Sequence, residues 1–368
     1  MALNPTAWTA LGAPRIGTLE PGALDAITDV AGVSVGHVTL ADGPMQTGVT
    51  VLRPQPGNLF LHKLPAGLDV INGFGKSAGL MQVDELGVLE SPIVLTSTFA
   101  VGTASTALIR DAMACNPELA RSLPTLNPLV LECNDGWLND ARSLFIQEQN
   151  VIESIGLTAL LADKNPFEQG SVGAGRGMSC HGLKGGIGTA SRRVAWQGQA
   201  CTLGVLVLAN QGRPDALTVD GRRVGPALQA MVRQRLAVAE PVQPERGSII
   251  MLLATDAPLD ARQLRRLARR AGAGLARTGS DFGHGSGDIA LAFSTAYRIP
   301  QNEAEPMPAL PMLHESALDL LFQAAAEATE QAILHALFAA TSVTGRDGHR
   351  RLALRHLVPD WPAWLATL

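Results

Sequence analysis

The chain has 368 residues, of which 46% are hydrophobic and 17% charged, so it can bury a sizeable core. Its formal net charge of −4 gives no electrostatic reason to expect a nucleic-acid partner. No apolar run reaches the length of a membrane span, and residues 1–22 lack the basic and apolar segments of a secretory leader. The sequence therefore predicts a cytoplasmic protein with no membrane partner.

The first elements that the sequence predicts are strands. Alternating apolar residues predict a strand over 33–40 and a returning strand over 48–52, joined by a turn over 41–44. Helical spacing of alanine and leucine then predicts helices over 73–87, 102–115 and 138–149.

The second half continues with strands over 201–209, 248–254 and 288–294. An amphipathic helix ending near Gly279 separates the last two strands, and a long helix over 316–342 is expected to pack on a sheet. The order is mixed α and β without strict alternation. The amphipathic helix that ends near Gly279 carries a cluster of arginines on one face. Such a cluster is typical of a solvated surface or a subunit contact: Arg262, Arg265, Arg266, Arg269 and Arg270.

Residues 211–247 connect the strands predicted over 201–209 and 248–254. They contain a helical stretch over 227–236 and then lose any periodic pattern at the proline-containing residues 239–245. This composition predicts an exposed tether directly before Gly247.

Cysteine and histidine usage gives no sign of a metal site. The eight histidines are scattered and form no HExxH pair, so neither a metal nor another cofactor is expected. The four cysteines lack CxxC spacing, which favours reduced thiols in a reducing compartment: Cys115, Cys133, Cys180 and Cys201.

A Gly-Ser step at Gly247 and Ser248 leads directly into the apolar strand. If the Ser248 hydroxyl attacked the Gly247 carbonyl, an acyl shift and hydrolysis would leave the serine with a free α-amine as its own general base. Glycine before the serine suits this reaction, because it has no Cβ and tolerates strained backbone. Three other Gly-Ser steps occur in the chain, so the hypothesis depends on the surroundings of Ser248.

Two further segments supply polar groups that could assist Ser248. Ser286 and Asp288 are two residues apart and would project from one face of a strand, although spacing alone favours a glycine-rich turn. Asn210 ends a buried strand, where its amide could stabilise an oxyanion or cap a turn.

A third polar segment covers residues 131–140. Turn and helix-cap roles account for most of its side chains, namely Asn134, Asp135, Asn139 and Asp140. Glu132 lies on the strand side and is not explained in that way. Its carboxylate could anchor the ammonium group of a substrate.

Several of these segments, in this order, resemble the family of L-aminopeptidase D-esterases and β-peptidyl aminopeptidases. The resemblance extends over nearly the whole chain. Its motifs are AITDVAGV at 26–33, VGH at 35–37, NGFGKSAGL at 72–80, NDG at 134–136, SVGAG at 171–175, GSII at 247–250, ATDAPL at 254–259, GSGDI at 285–289 and TGRDG at 344–348.

The resemblance implies a single four-layer αββα domain of the N-terminal-nucleophile-hydrolase type over 1–368. Self-cleavage would divide it into an α chain, 1–247, and a β chain, 248–368, with two-chain protomers assembled into a homotetramer. The implied activity is that of a serine aminopeptidase, amidase or esterase acting on short substrates with a free amine.

The resemblance also assigns roles to individual residues. Ser248 matches the nucleophile, Ser286 and Asp288 the supporting hydroxyl and acid, and Asn210 the oxyanion-hole amide. Glu132 matches the position that holds the substrate amine. Trp137, which replaces a tyrosine common in relatives, is expected to contribute to substrate binding.

Two other functions stay open on the sequence. One is an acyltransferase of the related ornithine-acetyltransferase fold, which also self-cleaves but typically exposes threonine rather than serine. The other is an unprocessed relative that serves as a binding or assembly protein.

Overall fold

The computed structural model describes residues 5–161, 167–196, 198–236 and 247–368. Strands are numbered in chain order: β1 Ser34–Asp42, β2 Met45–Arg53, β3 His62–Gly73, β4 Val88–Leu89, β5 Ile93–Ser97, β6 Leu129–Cys133, β7 Ser179–Cys180, β8 Leu183–Lys184, β9 Gly186–Trp196, β10 Gln199–Asn210, β11 Thr218–Val219, β12 Arg222–Arg223, β13 Ser248–Thr255, β14 Gly287–Ser294, β15 Ile299–Pro300, β16 Val343–Thr344 and β17 Arg350–Arg351.

Helices follow the same convention. They are α1 Pro5–Ala10, α2 Leu80–Leu86, α3 Val101–Cys115, α4 Glu148–Leu161, α5 Gly225–Leu236, α6 Ala261–Arg277, α7 Leu318–Ala339, α8 Leu354–Leu357 and α9 Trp361–Leu365. Short 3₁₀ turns cover Ile27–Asp29, Thr98–Ala100, Ala141–Ser143, Gly173–Gly177, Pro214–Ala216, Glu315–Ala317 and Arg346–Gly348.

Two sheets form the centre of the molecule. The smaller has the order β1-β2-β5-β6, and the larger has the order β15-β3-β14-β13-β10-β9 with β4 beside β3. The pairs β5–β6 and β13–β14 are parallel, and the other neighbours in these two sheets are antiparallel.

Three apolar clusters show how the layers stack. One lies between the sheets and includes Leu95 and Leu252. A second packs the larger sheet against α6 and α7, and a third packs the smaller sheet against α3 and α4. Strand β13 illustrates the period-2 pattern, because Ile250 faces the cluster between the sheets and Ile249 the helices. The order helices, sheet, sheet, helices is the αββα sandwich expected from the sequence.

Most predicted elements lie where the sequence places them, with two errors in the first half. The helix predicted over 73–87 begins only after Gly79, whose φ of 88° is left-handed, and Gly73 instead ends strand β3. Of the helix predicted over 138–149, residues 138–147 are not α-helical, because Leu144 also adopts a left-handed φ, 49°. Helix α4 begins at Glu148 instead. The predicted tether over 239–245 lies outside the described residues.

The arginine face of α6 is exposed and ion-paired rather than buried. Glu315 pairs with Arg262 and Arg266, and Asp69 pairs with Arg269. This matches the interpretation of a solvated face.

Within the described ranges, no helix is both long enough and apolar enough to cross a membrane. The same residues contain no group of three or more histidine, cysteine or carboxylate side chains that could hold a metal ion. Cys115, Cys133 and Cys201 carry free thiols.

Candidate active site

Three neighbouring strands of the larger sheet bring the candidate catalytic residues to one edge. Strand β10 runs antiparallel to β13, so its last residue, Asn210, lies opposite Ser248, the first residue of β13. Strand β14 runs parallel to β13, so its first residue, Gly287, lies beside Ser248. Residues distant in sequence therefore meet because of strand direction and register alone.

The Ser248 hydroxyl contacts the backbone between the two other candidates. Its Oγ accepts a hydrogen bond of 3.1 Å from the amide of Gly287, and the residue is 5% exposed. On either side of that glycine, Ser286 Oγ donates to Asp288 Oδ1 at 2.5 Å, and both residues are fully buried. Ser286 ends a glycine-rich turn in which its amide donates to the Gly283 carbonyl, and Asp288 lies on β14, so the pair joins the turn to the strand.

Backbone groups fix the Asn210 amide in one orientation. Its Oδ1 accepts from the Ser179 amide at 2.8 Å, and its Nδ2 donates to the Asn134 carbonyl at 3.0 Å. Because Oδ1 is held by a donor, the nitrogen end must point the other way. A primary amide has two N–H groups, so one remains to serve an oxyanion.

A buried lysine that the sequence reasoning missed supports this arrangement. Lys184 Nζ donates to the carbonyls of Gly175, Met178 and Gly185, each at 2.8 Å. The Met178 carbonyl belongs to the same peptide group whose N–H, on Ser179, holds Asn210. Lys184 is therefore one peptide bond away from the Asn210 amide.

Burial lowers the pKa of Lys184 well below its usual range, because the ammonium loses its solvation by water. Three carbonyl acceptors replace that water. The only sequence signal for this role is a lysine within a glycine-rich segment, where backbone carbonyls can approach closely.

Glu132 approaches from the smaller sheet, on β6. Its Oε1 accepts from the Lys76 amide at 2.7 Å, its Oε2 accepts from the Thr98 hydroxyl, and the residue is 3% exposed. A Cβ placed on Gly75 would lie 3.5 Å from Glu132 Oε1 and 4.0 Å from the Gly287 Cα. Gly75 thus leaves space for about one methyl group between the Glu132 carboxylate and Gly287, the first residue of β14.

Trp137 lies on the Asn210 side of the site. Its ring stacks on His349, with centroids 4.1 Å apart, and the Arg351 guanidinium is 4.4 Å from its centroid. Arg351 in turn donates from Nε to the Ser179 hydroxyl at 3.2 Å. The ring and hydrogen-bond contacts of Trp137 thus run to His349 and Arg351, not to Glu132.

The neighbouring acidic and amide residues have structural roles, but the turn interpretation is right for Asn134 and wrong for Asp135, which bonds to side chains of other strands. Asp135 accepts from Thr47 Oγ1 at 2.5 Å, from Ser97 Oγ at 2.8 Å and from Asn139 Nδ2 at 3.2 Å. Burial raises the pKa of Asp135 despite these bonds. Asn134 makes a turn, since its Oδ1 accepts from the Gly136 amide.

Gly247, the residue before Ser248, is closely packed. A Cβ there would lie 2.1 Å from the Asn210 carbonyl oxygen and 2.7 Å from the Gln211 Cα. Backbone atoms cannot move aside as a flexible side chain can, so this position requires glycine.

Comparison with known proteins agrees with this fold. Residues 25–351 match the model of peptidase family S58. The β-peptidyl aminopeptidase BapA of Sphingosinicella microcystinivorans is 38% identical over 363 residues, covering 94% of this chain and 89% of that protein.

Two solved structures are also similar. A Burkholderia sp. β-aminopeptidase has a TM-score of 0.85 and 38% identity, covering 95% of this chain and 97% of the other. The L-aminopeptidase D-Ala-esterase/amidase of Ochrobactrum anthropi, described as a prototype of the serine aminopeptidases and a variant of the Ntn hydrolase fold, has a TM-score of 0.83 and 33% identity, covering 96% and 98%. The chain therefore belongs to peptidase family S58 and is a serine aminopeptidase with the Ntn hydrolase fold.

Proposed function

We propose that Ser248 is the nucleophile of this aminopeptidase and that the chain activates itself by cleavage between Gly247 and Ser248. The products would be an α chain, 1–247, and a β chain, 248–368. The observation that carries the proposal is the convergence of Ser248, Asn210 and the Ser286–Asp288 pair at one sheet edge.

Self-cleavage would begin with attack of the Ser248 oxygen on the Gly247 carbonyl carbon. The C–N bond between the residues breaks, an ester forms on the serine oxygen, and the nitrogen becomes the α-amine of Ser248. Water then hydrolyses the ester and releases the Gly247 carboxylate. The close packing of Gly247 against the Asn210 backbone supports a role for the Asn210 amide as the oxyanion donor.

Turnover would use the same oxygen. The freed amine takes the hydroxyl proton as general base while Ser248 attacks the substrate carbonyl and forms an acyl-enzyme. Asn210 Nδ2 stabilises the oxyanion, and the Gly287 amide, already within hydrogen-bond distance of Ser248 Oγ, is a second donor at the reacting centre. Ser286, polarised by Asp288, orients the amine.

Glu132 would anchor the ammonium group of the substrate. Its carboxylate is buried and oriented by two donors, and the space over Gly75 separates it from the catalytic strand. An anchor for one ammonium selects substrates by their free N-terminus, so we infer short peptides, amides or esters as the substrate class. The similar proteins are named for activity on β-peptides and on L-amino acid and D-alanine derivatives.

We further propose that two-chain protomers assemble into a homotetramer in the cytoplasm. The family supports the assembly, and the free thiols of Cys115, Cys133 and Cys201 support a reducing compartment. Native mass spectrometry would give the number of protomers directly.

Intact mass spectrometry of the denatured protein tests the central proposal. From a total of 38.6 kDa, cleavage before Ser248 predicts fragments of about 26 and about 13 kDa, the second beginning at the serine. Ser248→Ala is expected to give one uncleaved chain without aminopeptidase activity, because it lacks the attacking oxygen.

Ser280→Ala is a matched control, since Gly279 and Ser280 form another Gly-Ser step. It is expected to cleave as the wild type does. Cleavage or normal turnover in Ser248→Ala would show that the nucleophile lies elsewhere, and a wild-type chain that is active while intact would exclude activation by this cut.

A further inference from the structure

A cavity of about 260 Å³ lies on the outer side of the smaller sheet, away from the candidate active site. We call it the α3 cavity, because helix α3 forms one wall and the end of β2, the loop at 57–60 and residues 90–92 form others. Its volume is several times the roughly 30 Å³ that a water molecule occupies in the liquid. It therefore has room for a small organic molecule.

Three charged residues line the α3 cavity: Glu90 pairs with Lys63, whereas Arg53 and Asp111, which have opposite charges, form no ion pair with each other. Arg53, at the end of β2, donates from NH2 to the Gly57 carbonyl at 2.8 Å, but its buried Nε has no acceptor within the described residues. Asp111, half-buried on α3, forms no hydrogen bond or ion pair within that part of the chain. Leaving such groups unpaired costs free energy, so each is a point where a ligand can gain affinity.

Both groups line the same cavity. Burial raises the pKa of Asp111, and the positive charge of Arg53 offsets part of that rise. A ligand with one charge would satisfy one of them and leave the other unpaired. A ligand with both an ammonium and a carboxylate group would satisfy both.

The rest of the lining is mainly apolar. Leucine, phenylalanine and isoleucine side chains dominate it, from the loop at 57–60, from α3, from the segment before β6 and from α4: Leu59, Phe60, Leu108, Leu126 and Ile155. Such walls favour an aliphatic side chain on the bound zwitterion.

We propose that the α3 cavity binds a free α-amino acid with an aliphatic side chain. Its ammonium group contacts Asp111, its carboxylate contacts Arg53, and its side chain packs against the apolar wall. The proposal does not depend on the catalytic roles above, because none of the residues assigned to the active site lines this cavity.

Cys115 offers a local readout, since its exposed thiol lines the cavity. The rate of its alkylation by iodoacetamide is measured in the wild-type protein by peptide mass spectrometry, with Cys201 as an internal reference. L-leucine is expected to slow alkylation of Cys115 severalfold and to leave Cys201 unchanged. N-acetyl-leucine lacks the ammonium group and isoamylamine lacks the carboxylate. Each is expected to require at least about tenfold higher concentration than L-leucine for the same protection of Cys115.

Substitutions of the cavity residues distinguish leucine bound in the α3 cavity from leucine bound elsewhere on the protein. Asp111→Asn and Arg53→Gln are expected to weaken the protection at least about tenfold, because each removes one charged partner. Arg110→Gln is the matched control, since Arg110 is exposed and pairs with Glu148 outside the cavity. No protection by L-leucine, equal protection by all three probes, or unchanged protection in both cavity variants would overturn the proposal.

Discussion

Backbone groups hold the candidate catalytic side chains in place. Asn210 is oriented by two main-chain groups, and Glu132 accepts from a main-chain amide. Main-chain groups at strand ends move little, so they can present donors to a transition state without reorganisation. At the scale of single residues, the site is therefore preorganised by the ends of strands and not by flexible loops.

The Ser286–Asp288 hydrogen bond gives the first prediction at this scale. Asp288→Asn keeps an oxygen acceptor for Ser286 but removes the negative charge that polarises its hydroxyl. We expect kcat of the processed enzyme to fall by about 10²-fold or more, with a smaller change in KM, because the proton transfer at Ser248 loses support. Hydrolysis of amino acid p-nitroanilides measures both constants.

Asp281→Asn serves as its control, since Asp281 is exposed and pairs with Arg213 at the surface. It should behave as the wild type does. An Asp288→Asn enzyme with wild-type kcat would remove Asp288 from the proton-transfer mechanism.

At the scale of elements, close backbone approach decides which residues a strand can carry. Helix α7 packs on β9 so tightly that a Cβ on Gly188 would lie 1.9 Å from the Ala332 carbonyl oxygen. The glycine-rich sequence before and within β9 is thus explained by close packing of the backbone.

The second prediction follows from this contact. Gly188→Ala should lower the free energy of unfolding by about 3 kcal/mol, because the helix and the sheet must separate to admit the methyl group. Urea unfolding measures the difference.

Gly156→Ala is the matched substitution within an exposed stretch of α4. A Cβ there meets nothing within 4 Å, so we expect no loss and a gain of up to about 1 kcal/mol from helix propensity. Equal stabilities of the two variants would contradict the packing argument.

Sequence patterns predicted helices and strands well where a segment followed a single hydrophobic repeat, either helical or extended. The ends of the long helix α7 were placed to within three residues, and those of the strand β13 to within one. Strand β3 was missed, since Pro65, Gly67 and Asp69 interrupt its apolar pattern and only its neighbours β14 and β4 make it a strand.

For the whole molecule, burial of ionisable groups between layers makes stability depend on pH. His181 and His335 are 2% and 1% exposed, and burial lowers the pKa of each to about 4. An unfolded histidine titrates near 6.5. Between these values the unfolded chain binds more protons than the folded chain, so stability falls as the pH decreases from 6.5 towards 4.

The third prediction concerns how much stability is lost at low pH and which residues cause the loss. Between pH 7 and pH 4.5, each of the two histidines is expected to lower the free energy of unfolding by at most about 3 kcal/mol, as measured by urea unfolding. The uncleaved Ser248→Ala chain suits the measurement, since a single chain can refold. His181→Asn in that background should show a shallower pH dependence.

His314→Asn, at an exposed histidine, should leave the slope unchanged. If the free energy of unfolding of His181→Asn depended on pH as steeply as that of His314→Asn, burial of His181 would not account for the loss of stability at low pH.

The sequence by itself determined the family, the order of most elements and the identity of the catalytic candidates, because these depend on local periodicity and on motifs. Only the tertiary structure decided that Asn210, Ser248 and Gly287 meet at one edge, since this depends on strand direction and register. Lys184 and the unpaired charges of the α3 cavity were also invisible in the sequence. Their environments are built from segments far apart in the chain, and no local pattern records such contacts.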